Sequence, residues 1–301
     1  MHHVGILSAF SAQVSQASSQ AAVLMSELQR AGYEVGRNLR LDAAYAEGDL
    51  KRLPQVAADL VSRGPQVILA SGNDAIAAAR AATRKVPIVM AFAIEPVGNG
   101  LVDSLARPGG NVTGATWLSG EIAGKAMEVL HQAVPSIKHL AALGNPATAG
   151  AQSYIDAFSA AASRLGVSSR TFSVYHPDEV DAALAAIAKS PAQALYMSAE
   201  TATEPRVADI AAFALRQKLP TISLGPRLVE AGGLLYYGPD VNETIGRVVG
   251  FMDRILRGAQ PGDLPIEQPS RFELVVNANT ARALGLALHG SFLMRATRVI
   301  G

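Results

Sequence analysis

A repeat of short apolar runs and polar turns between residues 66 and 117 places the strongest constraint on the fold of this chain. The runs occupy residues 67–70, 88–92 and 112–117, and a polar or glycine-bearing turn follows each of them. The first two turns lead into helix-like segments. Strands that alternate with helices in this way build a parallel sheet, so the stretch predicts an α/β fold.

The turns after the first two runs are the first places to look for a binding site. They read SGND at residues 71–74 and AIEP at residues 93–96. Open parallel sheets bind ligands at the carboxyl ends of their strands, and both turns are expected to lie there.

The alternation extends over the whole chain and predicts two copies of one architecture. In the first copy we expect further strands at 4–10 and 38–45, with helices at 15–31, 49–63, 74–83 and 95–105. In the second copy, after a helix that Ser119 caps, we expect strands at 139–143, 168–174, 192–197, 221–224 and 234–237, with helices at 152–165, 177–189 and 206–218. A long helix at 242–257, a strand at 272–276 and two short helices close the chain.

This order of elements predicts two doubly wound parallel-sheet lobes of Rossmann-like type. Lobe 1 is expected to contain residues 1–115 and 241–268, and lobe 2 residues 116–240 and 269–301, with a ligand cleft between them. The chain would cross between the lobes near Trp117, near Pro239 and Asp240, and within residues 269–276.

The composition fits a folded α/β protein and argues against several functions. Of 301 residues, 49% are hydrophobic and 17% are charged, and the net charge of +1 gives no basic face for nucleic acid. The absence of cysteine excludes Cys-ligated zinc, thiol nucleophiles and disulfides. No apolar run reaches the roughly 18 to 20 residues of a membrane helix. No signal peptide is visible, so we expect either a cytoplasmic protein or an exported one whose leader was removed.

The motifs of common enzyme classes are missing from the sequence. The six histidines form neither HExxH nor an i, i+4 pair, so no metal site is expected. No GxGxxG fingerprint, phosphate-binding GxxxxGK[ST] loop or GxSxG elbow occurs, and no cofactor is expected. Ser71 has neither an oxyanion glycine pattern nor an assignable histidine partner. We therefore expect a binding protein and not an enzyme.

Polar side chains collect in the turns at the strand ends of both lobes. In lobe 1 the candidate ligand-binding residues are Phe10, Ser11, Gln13, Ser71, Gly72, Asn73, Asp74, Phe92, Ala93 and Glu95. In lobe 2 they are Asn145, Thr148, Ser198, Glu200, Gly225 and Arg227. Backbone N–H groups at the helix N-termini there would bind a carboxylate or phosphate.

The charged candidates would together suit a zwitterion such as an amino acid. Asp74, Glu95 and Glu200 could hold an amine, and Arg227 could pair with a carboxylate. The alternative is that Ser, Asn and Asp at these positions only cap helices. Phe10, Phe92 and Trp117 would either stack on an apolar ligand group or pack within the core or hinge.

The stretch at residues 88–135 resembles the signature region of the ABC-transporter substrate-binding family that includes tryptophan and tyrosine binders. It reads IVMAFAIEPVGNGLVDSLARPGGNVTGATWLSGEIAGKAMEVLHQAVP, and LARPGGNVTG at 105–114 is its most specific part. The resemblance continues in GYEVGRNLRLDAAYAEGDLKRLPQVAADLV, in LVEAGGLLYYGPD and in DRILRGAQPGDLPIEQPSRFELVVNANTARALGL, and so covers nearly the whole chain. The FELVVNANTA stretch is also similar to the last crossing strand of lac-repressor-type sensor domains.

The resemblance implies a type I periplasmic binding fold that closes on its ligand about the three crossings. It also implies a monomer outside the cytoplasm, a small-molecule ligand and a partner permease with an ATPase. Family ligands include aromatic amino acids. The loop after the first strand, FSAQVSQ, lacks the acidic and histidine residues expected of a tryptophan-type loop. The alternative function is a ligand-sensing domain of a regulatory system with the same fold.

Overall fold

A computed structural model of the chain describes residues 1–16, 19–118 and 120–301. The chain divides into two compact units. Unit 1 contains Met1–Leu118 and Pro239–Arg271, and unit 2 contains Ser119–Gly238 and Phe272–Gly301. The chain therefore passes between the units after residues 118, 238 and 271, each a few residues from the boundary expected from the sequence.

Strands and helices alternate along most of the chain. In chain order the strands are β1 (His2–Ser8), β2 (Leu39–Tyr45), β3 (Val67–Ser71), β4 (Ile88–Ile94), β5 (Val112–Leu118), β6 (His139–Gly144), β7 (Ser168–Ser173), β8 (Ala194–Met197), β9 (Thr221–Ser223), β10 (Leu235–Pro239), β11 (Phe272–Asn277) and β12 (Arg298–Ile300). The helices are α1 (Ala12–Gln16), α2 (Ser19–Arg30), α3 (Leu53–Ser62), α4 (Asn73–Ala82), α5 (Gly120–Ala133), α6 (Ala151–Arg164), α7 (Val180–Ala188), α8 (Val207–Arg216), α9 (Arg227–Glu230), α10 (Val241–Leu256), α11 (Ala278–Ala283) and α12 (Gly290–Leu293).

The sheet of unit 1 has the order β2-β1-β3-β4-β5, and its neighbouring strands run parallel. Its central strands are continuous apolar runs because helices cover both faces of such a sheet. Leu7, Ile68, Ile76 and Met90 are buried in one core cluster that joins the strands to α4. The apolar runs that begin at Val67 and Ile88 thus form the middle of this sheet.

The sheet of unit 2 has the order β12-β11-β10-β9-β8-β6-β7. The pairs from β10 to β7 in this order are parallel, but β11 runs opposite to β10. Asn277 N–H donates to Leu234 O at 2.9 Å, whereas Arg271 O accepts from Asp240 N–H at 3.0 Å at the other end of the pair. The expected two α/β units are confirmed and the sheet of unit 1 is wholly parallel, but the antiparallel pair of β10 and β11 and the edge strand β12 were not predicted.

Helix α10 belongs to unit 1 although it follows most of unit 2 in the chain. Its N-terminus is capped by Asp240, whose Oδ1 accepts from Asn242 N–H at 2.8 Å and Glu243 N–H at 3.1 Å. Its apolar face, which includes Ile245, Val248 and Met252, is buried and packs against β3, β4 and β5. None of the described helices is long and apolar enough to cross a membrane.

The structure corrects several predicted elements. The helix expected at residues 95–105 is wrong, and turns occupy this segment because Pro96 and Gly100, the latter at φ 65°, interrupt helical geometry. The helix expected at 15–31 is replaced by α1 and α2, with residues between them outside the described part. The predicted cap Ser119 also lies outside it. The short helix α9 was missed within a stretch interpreted as a turn.

Candidate functional site

The strand register of unit 1 gathers the predicted lobe 1 residues along one edge of the sheet. Ser8 pairs with Ser71, and Ser71 pairs with Ala91. The loops that follow β1, β3 and β4 therefore leave the sheet side by side. We call this row, residues 9–13, 72–74 and 92–95, the unit 1 edge; it includes the end of β4 and the first residues of α1 and α4.

Phe92 carries an uncommon backbone conformation at this edge. Its φ is 55°, in the left-handed region that non-glycine residues rarely adopt. The register between β4 and β5 shifts between Met90 and Ala93, so the chain bulges at Phe92. The half-buried Phe92 ring packs edge-on against the buried Trp117 ring, with centroids 4.9 Å apart and an interplanar angle of 73°. Strain of this kind is concentrated at functional sites in proteins.

Glu95 follows Phe92 and is also left-handed, with φ 43°. The side chain of Asn99 donates to Glu95 O and Ile94 O at 3.0 Å each, which fixes this turn. Asp74 lies in the first turn of α4, where the helix dipole favours a negative charge. Asp74 and Glu95 are both partly exposed, and they follow neighbouring strands.

Asn73 joins the two central loops of the unit 1 edge. It is buried, its Nδ2 donates to Ile94 O at 2.8 Å, and its Oδ1 accepts from Ile94 N–H at 2.8 Å. Gly72, with φ 81°, turns the chain between β3 and α4. The amide of Asn73 thus holds the loop after β4 in place, and Ser71 and Ala93 are the strand positions beside it. The Asn73 side chain caps no helix, and its predicted contact with a ligand stays a prediction.

The loop after β1 is built around hydroxyl groups. Ser11 Oγ accepts from Val14 N–H at 3.2 Å, and Ser8 Oγ accepts from Phe10 N–H at 3.2 Å. Gln13 is exposed on α1. Glu47, in the loop after β2, accepts from Ala12 N–H at 3.3 Å and has φ 57°. Sequence reasoning missed Glu47, although the AEGD turn that follows the second strand marks its place.

Unit 2 gathers its candidates in the same way. Leu143 pairs with Met197, and Met197 pairs with Ser223, so the loops after β6, β8 and β9 leave the sheet side by side. We call this row, residues 145–148, 198–204 and 224–227, the unit 2 edge. It contains the predicted Asn145, Thr148, Ser198, Glu200, Gly225 and Arg227.

Glu200 is the centre of a buried hydrogen-bond network at the unit 2 edge. Its Oε2 accepts from Asn145 N–H at 2.6 Å and from Thr148 Oγ1 at 3.4 Å. Its Oε1 accepts from Tyr154 Oη at 2.9 Å and from Ser198 Oγ in a short contact. Glu200 is only 3% exposed, so the hydrogen bonds with which it links the loops after β6 and β8 are buried within unit 2.

The electrostatics of this network follow from burial. Burial raises the pKa of the Glu200 carboxyl, although hydrogen bonds from Ser198, Tyr154 and Asn145 N–H oppose the shift. Burial and the nearby Glu200 charge raise the pKa of the Tyr154 phenol well above its usual value. Tyr154 lies on α6 and was not predicted as a site residue. The Glu200 carboxylate thus accepts hydrogen bonds from within unit 2, and its predicted contact with a ligand amine stays a prediction.

Arg227 pairs with a carboxylate of the protein itself. Its Nη1 donates to Glu204 Oε2 at 3.0 Å and to Glu204 O at 3.3 Å. Burial raises the pKa of Glu204 to about 6, against the opposing effect of Arg227. Gly225 is required in this loop because a Cβ at its position would lie 2.7 Å from the Cβ of Ala199. Arg227 therefore contributes to holding the loops after β8 and β9 together.

Each unit has a largely parallel sheet with polar loops at the carboxyl ends of its strands, and two such units joined by three passages of the chain have the type I periplasmic binding fold. The family model described as "ABC transporter substrate binding protein" matches residues 9–300. The chain belongs to this family, which confirms the resemblance found in the sequence.

Several known proteins are similar to this chain over most of its length. A tyrosine-binding protein of Clostridioides difficile (strain R20291) is 26% identical over 261 residues, which are 86% of this chain and 74% of that protein. A conserved domain protein from Vibrio cholerae has a TM-score of 0.91 at 26% identity, with 99% of each chain covered. An ABC domain from Streptococcus pneumonia, solved in complex with L-Trp, has a TM-score of 0.89 at 23% identity, with 99% of each chain covered.

Proposed function

We propose that this protein is the extracytoplasmic solute-binding component of an ABC importer and that its ligand is an amino acid with an aromatic side chain. Membership of the substrate-binding family supports the transport role. Relatives that are named for tyrosine or solved with L-Trp support the ligand class. The ligand-loaded protein would deliver its cargo to a membrane permease.

The observation that carries the ligand class is the surroundings of Phe92. A half-buried aromatic ring, held in a left-handed conformation and backed by Trp117, offers a face or edge for an aromatic ligand group. Two acidic side chains, Asp74 and Glu95, lie on the same edge and suit an α-amino group. This combination of an aromatic ring with nearby carboxylates matches an aromatic amino acid better than a sugar or an anion.

The ligand is proposed to contact the edges of both units and to close them about the three connecting segments. The chain connects the two units three times, and this supports the proposal because three connections restrict the direction of a hinge motion more than a single one would. Backbone N–H groups at helix N-termini are suited to the ligand carboxylate.

Titration calorimetry with L-tyrosine, L-tryptophan, L-phenylalanine and L-leucine tests the proposal. We expect at least one aromatic amino acid to bind and L-leucine to bind more weakly. Asp74→Ala and Glu95→Ala should each weaken binding by about tenfold or more, which is about 1.4 kcal/mol, because each removes a partner of the amine.

Glu34→Ala serves as the matched control, since Glu34 is an exposed acidic residue of unit 1 that pairs with Arg37. This variant should bind as the wild type does. The proposal fails if none of the three aromatic amino acids binds, or if both edge variants keep the wild-type affinity.

A further inference from the structure

Residues 264–271 directly precede the third chain connection and hydrogen-bond to residues beside the first and second connections. Glu267 N–H donates to Gly114 O at 3.0 Å, and Glu267 O accepts from Thr116 N–H at 2.9 Å. These bonds attach the segment to β5, the strand that leads to the first connection. At its other end, Arg271 O accepts from Asp240 N–H at 3.0 Å, directly after the second connection. The third connection follows Arg271 itself.

Glu243, in the first turn of α10, holds the end of this segment. Its Oε2 accepts from Arg271 N–H at 2.9 Å and from Ser270 N–H at 3.3 Å, and its Oε1 accepts from the Ser270 hydroxyl. Burial opposes ionisation, but the hydrogen bonds from Ser270, Arg247 and Arg271 N–H hold the pKa of Glu243 at about 2. Glu243 is therefore a carboxylate across the physiological pH range.

Arg247 joins Glu243 to Glu267. Its Nη2 donates to Glu243 Oε1 at 2.8 Å and to Ser270 Oγ at 2.9 Å, while its Nη1 donates to Glu267 Oε2 at 2.5 Å. Its side chain is 26% exposed, so water competes only partly for these bonds. The planar guanidinium presents several donors in fixed directions, which a lysine ammonium does not. The Arg247 side chain thus bonds to Glu243, Ser270 and Glu267, and these residues belong to the network beside all three connections in unit 1.

We propose that Arg247 is a positioning residue that couples the three connecting segments, so that they respond together when the protein closes on its ligand. The closure rests on the proposed function. The coupling itself is a property of unit 1 and is present without any ligand. Loss of Arg247 would remove the link between Glu243 and Glu267 and leave Glu267 only its longer ion pair with Arg254, at 3.6 Å, so the segment beside β5 would open more easily.

Hydrogen exchange on the ligand-free protein tests the coupling. Arg247→Met keeps the apolar stem and removes the charge. We expect the amides of Thr116, Asp240 and Arg271 to exchange about tenfold faster in this variant, since local opening becomes easier. The Arg271 amide shares its acceptor, the Glu243 carboxylate, with Arg247, so faster exchange there includes a direct effect. The Thr116 and Asp240 amides donate to Glu267 O and Arg271 O, which Arg247 does not contact, so a change at these two amides reports coupling.

Arg257→Met is the matched control. Arg257 follows α10 and pairs with Asp253 at 2.8 Å in the same i, i+4 relation that Arg247 has with Glu243. Its loss should leave the exchange of the three amides unchanged. Glu243→Gln is a second variant that preserves side-chain size, and it should raise exchange at Arg271 and Asp240. Arg247→Lys should restore protection only in part.

A kinetic measurement extends the test to the liganded protein. In stopped-flow experiments with L-tyrosine and L-tryptophan, Arg247→Met should change the dissociation rate, whereas Arg257→Met should not. The inference is overturned if the three amides keep their wild-type protection in Arg247→Met, or if Arg257→Met exposes them equally. A wild-type protein that binds neither amino acid would count against the proposed function, and the exchange measurement would still decide the coupling.

Discussion

At the scale of single residues, Phe92 shows how a side chain with an apolar role can be kept in an unfavourable backbone conformation. A left-handed φ of 55° costs a non-glycine residue about 1 to 2 kcal/mol. The edge-on contact with Trp117 offsets part of this cost, because aromatic pairs contribute about 0.5 to 1.5 kcal/mol beyond their buried area.

Comparison of Phe92→Gly with Phe92→Ala separates the effect of the backbone conformation on stability from the effect of losing the aromatic ring. Both variants lose the contact with Trp117, but only glycine accepts the left-handed conformation without a steric penalty. We expect Phe92→Gly to be more stable than Phe92→Ala by about 1 kcal/mol in urea unfolding. An alanine variant at least as stable as the glycine variant would contradict a strained backbone at this position. Both variants should bind L-tyrosine more weakly than the wild type.

Glu204 gives unit 2 a predictable dependence on pH. Burial raises its pKa to about 6 from an ordinary value of 4.5, so the folded state binds this proton more tightly than the unfolded state. The corresponding stability is complete below pH 4.5 and is lost as the pH rises through about 6. The shift corresponds to about 2 kcal/mol.

Denaturant unfolding of the wild type and Glu204→Gln between about pH 4 and 8 checks this expectation, with the pH values chosen to bracket the two pKa values. The stability of the wild type relative to the variant should fall as the pH rises. Glu128→Gln is the control because the Glu128 side chain of unit 2 is 45% exposed and pairs with Lys125 at the surface. A difference between wild type and Glu204→Gln that does not change with pH would show that the pKa of Glu204 is not raised.

At the scale of elements, the Glu200 network explains how two loops of unit 2 keep a fixed arrangement. The loops after β6 and β8 start on neighbouring strands, and Glu200 bonds to the backbone of one loop from its place in the other. Tyr154 adds a bond from α6. The loops that would meet a ligand are thus ordered before it arrives, which lowers the entropy cost of binding.

Two substitutions of Glu200 distinguish the loss of a charge from the loss of acceptors. Glu200→Ala leaves Asn145 N–H and the Tyr154 hydroxyl buried without this acceptor, and we expect a loss of about 3 kcal/mol. Glu200→Gln keeps one acceptor and the side-chain volume, so this variant should lose about 1 kcal/mol of stability. Urea unfolding measures both, and hydrogen exchange should show faster opening at the Asn145 amide only in the alanine variant. Equal losses of stability in the two variants would argue against Glu200 acting as the hydrogen-bond acceptor for Asn145 N–H and Tyr154.

Strands, helices and side-chain contacts are predicted unequally well from the sequence. The reason is that some depend on neighbouring residues and others on residues far apart in the chain. Strands such as β3 and β4 are buried on both faces, so a local run of apolar residues is enough to place them. The helix expected at 95–105 is wrong because proline and glycine outweigh apolar spacing in that segment. Tyr154 was missed as a partner of Glu200 because it lies 46 residues away, and local sequence carries no signal for such a contact.

At the scale of the whole molecule, the main prediction from sequence concerned connectivity. Two α/β cycles followed by a helix and a strand predicted that the chain changes lobes more than once, and the division into units has three such passages. The residues that brace these passages, Glu243, Arg247 and Glu267, gave no sequence signal as a group. They come together only because residues 264–271 lie beside β5 in the folded chain.

The position of α10 in the chain also determines when unit 1 can complete its packing during synthesis. A ribosome completes all strands of the first sheet, and then the body of unit 2, before it makes residues 241–256. Until then the sheet lacks the helix that packs on β3, β4 and β5, and Tyr33 lacks Asp253, to which its hydroxyl donates at 2.8 Å. The amino-terminal part of the nascent chain therefore reaches its final packing late, unlike a chain of consecutive domains.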